Sequence, residues 1–191
     1  KINHKAGMAI TSYPCFMVVR NQAQSRLKER ILMKINIKKL LIDKINKSEW
    51  WHVTPRDPQA YKKRGKFLAS TYRMAEFYGR PNDIPDKVFI MNPIYGFSEK
   101  EILLQLFPRK HNNRFLKEYK KMRSADLRAS AKYVYKYAKN WYQKRIRLDA
   151  AMFKRAKSLG YDAIVLIAAV GRKELEKNRK PRSIELNLLN V

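Results

Sequence analysis

Positive charge is concentrated in two segments of this 191-residue chain, and its distribution limits where a compact core can form. Residues 1–49 carry a net charge of +8 and residues 108–147 a net charge of +12, out of +27 for the whole chain. Residues 50–107 and 148–191 carry only +3 and +4. Because like charges oppose compaction, we expect the core to lie in the two weakly charged segments, with the basic segments attached to it.

Both basic segments have the patterns of helices. Apolar residues recur at helical spacing over residues 20–47, and basic residues fill most of the other face. This pattern is typical of a helix packed on the core with a solvated basic face, although a nucleic-acid contact or a membrane-surface helix gives the same pattern. Within residues 108–147, Tyr133, Tyr137 and Trp141 repeat at every fourth position, which is also typical of a core-facing stripe.

The cations of residues 108–147 are the best sequence evidence for a polyanionic partner. Lys and Arg neutralise phosphates, and exposed aromatic rings stack on unpaired bases. Because no helix-turn-helix or zinc-finger signature is present, we expect binding to DNA or RNA with little sequence preference. The residues predicted to contact nucleic acid are Lys117, Lys120, Lys121, Arg123, Lys132, Lys136, Lys144 and Arg145.

Several classes of protein are excluded by what the sequence lacks. The single cysteine, Cys15, rules out a disulfide framework and a cysteine-based zinc site, and three histidines make a histidine-rich metal centre improbable. No run reaches the roughly 18–20 apolar residues that a transmembrane helix needs. Residues 1–19 faintly resemble a signal peptide, but Pro14 interrupts the apolar patch and no clean cleavage site follows, so we expect no secretion.

The weakly charged segments contain alternating strand and helix signals. Strands are predicted at residues 50–54, 66–70, 87–91, 161–169 and 183–189, and helices at residues 72–78, 98–106 and 149–159. Ser98 is the expected N-cap of one helix, with Glu101 as its capping-box partner, and Gly160 is the expected residue after the end of another. This order predicts an α+β fold with a mostly antiparallel sheet.

Three short motifs in these segments resemble the H-Y-E group of ADP-ribosyltransferases, which includes the diphtheria-toxin-like and poly(ADP-ribose) polymerase-like enzymes. The first is Trp-His-Val-Thr at residues 51–54, and the second is Gly-Lys-Phe-Leu-Ala-Ser at residues 65–70, followed by Tyr78. The third is Gly-Tyr-Asp-Ala-Ile at residues 160–164, followed by Ile-Glu-Leu at residues 184–186. The motifs occur in the order of that family, and the resemblance spans about residues 50–107 and 159–191, roughly half of the chain.

The resemblance implies an ADP-ribosyltransferase-like sheet with NAD as the substrate. By that resemblance His52 and Thr54 hold the ribose and amide end of NAD, Phe67 and Tyr78 sandwich the nicotinamide, and Glu185 is the catalytic carboxylate. Ser70 closes the second motif and belongs to the same NAD-binding set. The family prefers tyrosine at the position of Phe67, which keeps the aromatic face for stacking but lacks the hydroxyl.

Each of these residues also has an ordinary structural interpretation. His52, beside two tryptophans, fits a hydrogen-bonded structural histidine, and Phe67 and Tyr78 fit core aromatic residues. Glu185 lies between Ile184 and Leu186, which is a normal place for a solvent-facing glutamate on a strand. The combination of the residues favours the transferase. Whether their side chains converge on one cleft is therefore the decisive structural question.

The resemblance implies a domain at residues 50–191 with a basic helical insertion at 108–147, preceded by a basic helical extension at 1–49. The implied function is transfer of ADP-ribose to a protein or nucleic-acid acceptor. Some transferases of this kind are encoded by phages and packaged with DNA, which implies a virion interior and the host cytoplasm as locations. The alternative is a non-enzymatic nucleic-acid-binding structural protein, virion-internal or ribosome-like. A third possibility is RNA 2′-phosphate transfer, with Arg56, Arg64 and Arg73 as candidate phosphate contacts.

Overall fold

The computed structural model describes residues 15–107, 115, 117–121, 131–167, 169–177, 179 and 183–190. The chain divides into two compact units, Lys1–Lys38 and Lys39–Val191, so the division falls before the predicted boundary at residue 49. The helices are α1 (Cys15–Asn46), α2 (Ala60–Arg64), α3 (Tyr72–Glu76), α4 (Glu99–Leu106), α5 (Ala131–Ser158) and α6 (Ala169–Glu176). The strands are β1 (Glu49–His52), β2 (Lys66–Ala69), β3 (Asp86–Lys87), β4 (Pro93–Gly96), β5 (Ala163–Ile167) and β6 (Ile184–Leu188).

The six strands form one sheet in the order β3-β1-β2-β6-β5-β4. Neighbouring strands are antiparallel except for β4 and β5, which run parallel. The predicted α+β class is therefore confirmed, and the sheet is mixed rather than purely antiparallel. No helix in the described part of the chain combines the length and the apolar character needed to cross a bilayer.

The strand predicted at residues 87–91 is wrong, because its backbone is bonded to side chains from elsewhere in the chain. The amide of Ile90 donates to Asn46 Oδ1 at 2.9 Å, and the Asn46 amide group donates back to the Ile90 carbonyl. The amides of the next two residues donate to the carboxylate of Asp162. With these groups occupied, β3 ends after two residues paired with β1, and the next strand, β4, pairs with β5 at the opposite edge of the sheet.

Helix α5 passes without a break through residue 147, where the predicted insertion ends. Its C-terminus has the predicted geometry: Gly160 has φ of 78° and its amide donates to the Lys157 carbonyl at 3.1 Å. The Tyr161 amide donates to the Ala156 carbonyl at 3.1 Å, which completes a Schellman motif. Helix α6 lies where the sequence predicts only a polar connection.

Apolar side chains are buried on both faces of the sheet. On one face, α4 and α5 pack over β4 and β5 in a cluster that includes Ile94, Ile164, Leu103, Leu148 and Met152. On the other face, Leu68, Leu186 and Val165 are aligned across three strands and are buried. The Trp50 indole donates to the Ile45 carbonyl at 3.1 Å, which holds the C-terminal end of α1 beside β1.

Candidate functional site

The strand register places Glu185 in a row of side chains that crosses the sheet. Trp51 is opposite Ala69, Ala69 is opposite Glu185, and Glu185 is opposite Leu166. Opposed residues of an antiparallel pair point to the same face, so these four side chains share what is called here the Glu185 face. Ala69, which has the smallest side chain of the row, lies between Trp51 and Glu185.

Aromatic rings surround this part of the Glu185 face. Phe67, two residues before Ala69 and thus on the same face, is 41% exposed. Tyr78 lies just beyond α3, and its hydroxyl is 3.5 Å from Glu185 Oε1. The ring of Tyr72 meets the ring of Trp51 edge-on, with centroids 5.0 Å apart. The sheet therefore combines a carboxylate with partly exposed aromatic surfaces at one place.

Short-range sequence signals place Tyr78 beside Glu185. Thr71 caps α3, because its side chain accepts a hydrogen bond from the Met74 amide at 3.3 Å. The chain turns at Gly79, whose φ of 144° is unfavourable for other residues, and a Cβ atom there would lie 3.0 Å from a methyl group of Val53. This close approach requires glycine and brings the loop after α3 against the end of β1.

Two hydrogen bonds tie this loop to the motif at residues 51–54. The Asn82 amide donates to the His52 carbonyl at 2.9 Å. The Thr54 hydroxyl donates to Asn82 Oδ1 at 3.1 Å. Thr54, which the resemblance places in the NAD-binding set, thus holds the loop that follows Tyr78.

Ser70 fixes the position of Glu185 along the sheet. Its hydroxyl accepts a hydrogen bond from the Ile184 amide at 3.2 Å, and its own amide donates to the Ile184 carbonyl at 3.2 Å. These bonds continue the pairing of β2 and β6 beyond Ala69. Because a shift of one residue would turn Glu185 to the other face, buried Ser70 helps to determine which face carries the carboxylate.

The pKa of Glu185 is raised overall, although the groups around it act in opposite directions. Burial raises its pKa, Arg145 lowers it, Glu99 raises it again, and the Tyr78 hydrogen bond lowers it. The Tyr78 ring is 65% exposed, but its hydroxyl is turned towards Glu185. Burial of that hydroxyl and the nearby negative charge raise the pKa of Tyr78 to about 12. The phenol therefore stays protonated at neutral pH.

Arg145 lies beside Glu185 and is ion-paired within the protein, while its contact with nucleic acid stays a prediction. Its guanidinium forms ion pairs with Glu99 at 2.6 Å and with Asp149 at 2.9 Å. Burial tends to lower the pKa of Arg145, but the two carboxylates more than offset this and raise it. Burial raises the pKa of Asp149 to about 6, although Arg145 acts in the opposite direction.

The His52 ring lies on the other face of the sheet, called here the His52 face. His52 is opposite Leu68, which is opposite Leu186, whereas Glu185 belongs to the alternate set. The buried ring contacts the Phe67 carbonyl through Nδ1 and the Tyr61 hydroxyl through Nε2, each at 2.7 Å. A carbonyl only accepts, so Nδ1 carries the proton and Nε2 accepts from Tyr61.

His52 therefore has the structural role that the sequence left open as an alternative. Burial lowers its pKa, which favours the neutral ring. Both ring nitrogens are used within the protein and lie on the opposite face of the sheet from Glu185, so the four predicted side chains do not converge on one cleft. Three of the predicted site residues, Phe67, Tyr78 and Glu185, are together on the Glu185 face, while His52 and Thr54 contribute through the backbone and the loop.

The other residues predicted to bind nucleic acid have varied positions. Lys117, Lys120, Lys121 and Lys144 are exposed. Lys132 and Lys136 lie on α5, but their side chains are outside the described residues, as is Arg123. Their contact with nucleic acid stays a prediction.

Sequence analysis missed several residues of the site. Trp51 is in the first motif but has no predicted role, and Glu99 is predicted only as part of a helix. The four-residue spacing of Arg145 and Asp149 is a visible signal for an ion pair on a helix. Asp162, in the third motif, supports the fold by accepting backbone hydrogen bonds from residues 91 and 92.

Comparisons of the chain with protein-family models, with curated proteins and with solved structures find no match. Within the described residues, no three histidine, cysteine or acidic side chains are grouped so that they could hold a metal ion. What the site can do is therefore argued from its geometry and from the motif resemblance alone.

Proposed function

We propose that this chain is an ADP-ribosyltransferase-like enzyme that transfers ADP-ribose from NAD to a macromolecular acceptor. The observation that carries the proposal is the gathering of Phe67, Tyr78 and Glu185 around Ala69 on one face of the sheet. These are the stacking residues and the carboxylate that the motif resemblance implies. They are far apart in sequence, and two of them come from different strands. The histidine of the motif, His52, lies on the opposite face of the sheet, so the proposed site has no contact from His52 to the ribose.

The aromatic residues suit the leaving group. Phe67 and Tyr78 have exposed ring surface that a flat nicotinamide can cover. A stacked pair of rings contributes about 0.5–1.5 kcal/mol beyond the burial of area. Such contacts fix the orientation of the bond to be broken, which is a large part of catalysis in a bond cleavage of this type.

Glu185 suits the charge that develops during the reaction. The bond between the nicotinamide nitrogen and C1 of its ribose breaks, its electron pair leaves with nicotinamide, and positive charge develops on the sugar. The nucleophile of the acceptor then bonds to that carbon and loses its proton. A carboxylate next to the sugar stabilises the positive charge, and partial burial strengthens this interaction.

In this proposal Arg145 and His52 are positioning residues. Arg145 favours the ionised form of Glu185, which is the form that stabilises positive charge. His52 donates to the carbonyl of Phe67, the residue whose ring stacks on nicotinamide, and so holds that part of β2. Arg145, the cation beside Glu185, is already ion-paired with two carboxylates. Because its charge is occupied, the site favours NAD over an RNA phosphate as the ligand. Virion packaging and delivery to a host stay predictions from the resemblance.

The proposal is tested by NAD binding and by nicotinamide release in one set of variants. NAD at about 100 Kd should stabilise the folded protein by roughly 2.7 kcal/mol, measured as a rise in the thermal midpoint. Tyr78→Ala should remove most of this rise, whereas Phe89→Ala, which removes an exposed aromatic ring elsewhere, should keep it. A midpoint that does not respond to saturating NAD contradicts the proposal.

The same set tests the carboxylate. Glu185→Gln keeps the shape of the side chain and removes its charge, so nicotinamide release should fall by about 10²–10³ with little change in NAD affinity. Glu49→Gln is the matched control, because Glu49 is an exposed glutamate on a strand of the same sheet. Equal rates for the two variants would show that Glu185 takes no part in the reaction.

A further inference from the structure

A basic groove lies between α2 and α5, away from the residues proposed to bind NAD. It has a volume of 820 Å³. Its floor is apolar and includes Ala60, Ala150 and Phe153. Five cations line it, from both helices: Lys62, Lys63, Arg64, Lys154 and Lys157.

Cations outnumber carboxylates five to one among the lining residues of this groove, and Arg64 also lies near enough to Asp149 to lower the pKa of that carboxyl. Asp57 is the one carboxylate among its lining residues, and its ion pair with Lys63, at 3.6 Å, is between exposed side chains. Exposed pairs of this kind contribute little to stability. Five cations around one groove repel one another, and a protein surface without a ligand normally mixes the two signs. The groove is thus complementary to an anion with several negative charges.

The walls of the groove are held in place by the fold. The Asn187 side chain donates to the Arg64 carbonyl at 2.8 Å, which fixes the end of α2 against β6. Gly65 follows with φ of 80°, and a Cβ atom there would collide with Asn187. On the other wall, Lys157 donates to the Leu189 carbonyl at 3.4 Å. A ligand therefore meets a groove that is formed in advance, which lowers the entropic cost of binding.

We propose that this groove binds single-stranded nucleic acid through its phosphodiester backbone. Its volume is within the range of clefts that hold a ligand, about 300–1,000 Å³, and a basic groove follows a flexible strand better than a rigid duplex. The apolar floor lies under the sugars and bases. Phe153 is only 7% exposed and Lys157 lies over its ring, so the floor offers no free stacking surface. Binding is therefore independent of base sequence.

This inference does not rest on the proposed NAD site, with which the groove shares no residue. It also differs from the nucleic-acid surface predicted from the sequence, since none of the five cations belongs to that set. The groove cations come from the weakly charged segments of the chain, and only Arg64 among them is a phosphate contact suggested by the sequence, in the alternative of RNA 2′-phosphate transfer.

The test is the affinity of the full chain for a short labelled single strand, measured by fluorescence anisotropy at several salt concentrations. The groove variant is Lys62→Glu/Lys154→Glu, which reverses one exposed cation on each wall. Loss of two phosphate contacts should make the negative slope of log K against log salt shallower by about 1.4. It should also weaken the affinity at about 0.1 M salt on the order of 25-fold.

The matched control is Lys100→Glu/Lys173→Glu, which makes the same charge change at exposed positions of α4 and α6 outside the groove. It should bind the strand nearly as the unchanged chain does. Equal losses in the two variants, or no loss in the groove variant, overturn the proposal. Displacement of the strand by NAD also overturns it, because the groove would then belong to NAD. Lys62→Gln/Lys154→Gln gives the same comparison if the charge reversal prevents folding.

Discussion

The two sides of helix α5 place basic residues in different environments. Towards the sheet, Arg145 forms ion pairs with Glu99 and Asp149, and the apolar residues around it, such as Leu148 and Met152, are buried. Towards α2, Lys154 is exposed and lines the basic groove. Both are cations of one helix, but only Arg145 has an acidic residue, Asp149, four positions away.

The difference shows that the role of a cation depends on what the fold places opposite it. Arg145 meets two carboxylates and lies beside Glu185, so its charge is used inside the protein. The groove lysines meet other cations from α2, so their charge is available to a ligand. Three predictions test this comparison.

The largest expected effect is on stability at the sheet side. Arg145→Ala leaves Asp149 and Glu99 as uncompensated carboxylates, and both side chains are only 11% exposed. Breaking a buried ion pair in this way costs about 3–5 kcal/mol, and we expect the lower end because a third of the Arg145 side chain is exposed. Lys154→Ala should change the unfolding free energy by less than about 0.5 kcal/mol. Denaturant unfolding of both variants measures this, and equal values would remove the distinction between the two sides.

A smaller effect is expected in the pH dependence of stability. The pKa of Asp149 in the folded protein is about 6, above the ordinary value of 3.8 for this carboxyl. Asp149 therefore holds its proton more tightly in the folded state than in the unfolded state. The contribution of this proton to the free energy of unfolding is fully present below pH 3.8 and is lost as pH rises through about 6. Glu185, whose pKa is also raised, acts in the same direction.

The slope from one such group is at most about 1.4 kcal/mol per pH unit. Asp149→Asn should flatten the curve of unfolding free energy against pH between about 4 and 6, whereas Asp83→Asn, at an exposed carboxylate, should not. A curve for Asp149→Asn that follows the unchanged chain would show that burial of this group does not set the pH dependence.

Features with local causes could be predicted from the sequence. Ser98 caps α4 by accepting from the Glu101 amide at 3.3 Å, and Gly160 ends α5 in the positive-φ conformation. The Glu101 carboxylate accepts from the amide of Phe97, one residue before the predicted partner. The strand at residues 87–91 could not be excluded, because the bond of Ile90 with Asn46 joins residues 44 positions apart.

For the candidate site, the motif resemblance implies that four side chains meet, and the structure brings three of them together. Phe67, Tyr78 and Glu185 lie together as the resemblance implies, while the His52 ring faces the other way. The face of a strand residue depends on register, which reverses with a shift of one position and has no local signature here. The role of Arg145 was missed for a similar reason, because its partner Glu99 belongs to another helix.

The smallest expected effect separates the two lysines Lys144 and Lys154. Both are exposed on α5, but only Lys154 lines the groove. Since one phosphate contact on a single strand contributes about 0.7 to the salt slope, Lys154→Glu should lower the affinity at about 0.1 M salt roughly fivefold. Lys144→Glu makes the same change in net charge, and screening over about 10 Å at that salt should limit its effect to less than about twofold. Anisotropy titrations with one labelled strand compare them directly. If Lys144→Glu weakens binding as much as Lys154→Glu, the nucleic acid responds to the overall charge of α5, and the groove has no separate role.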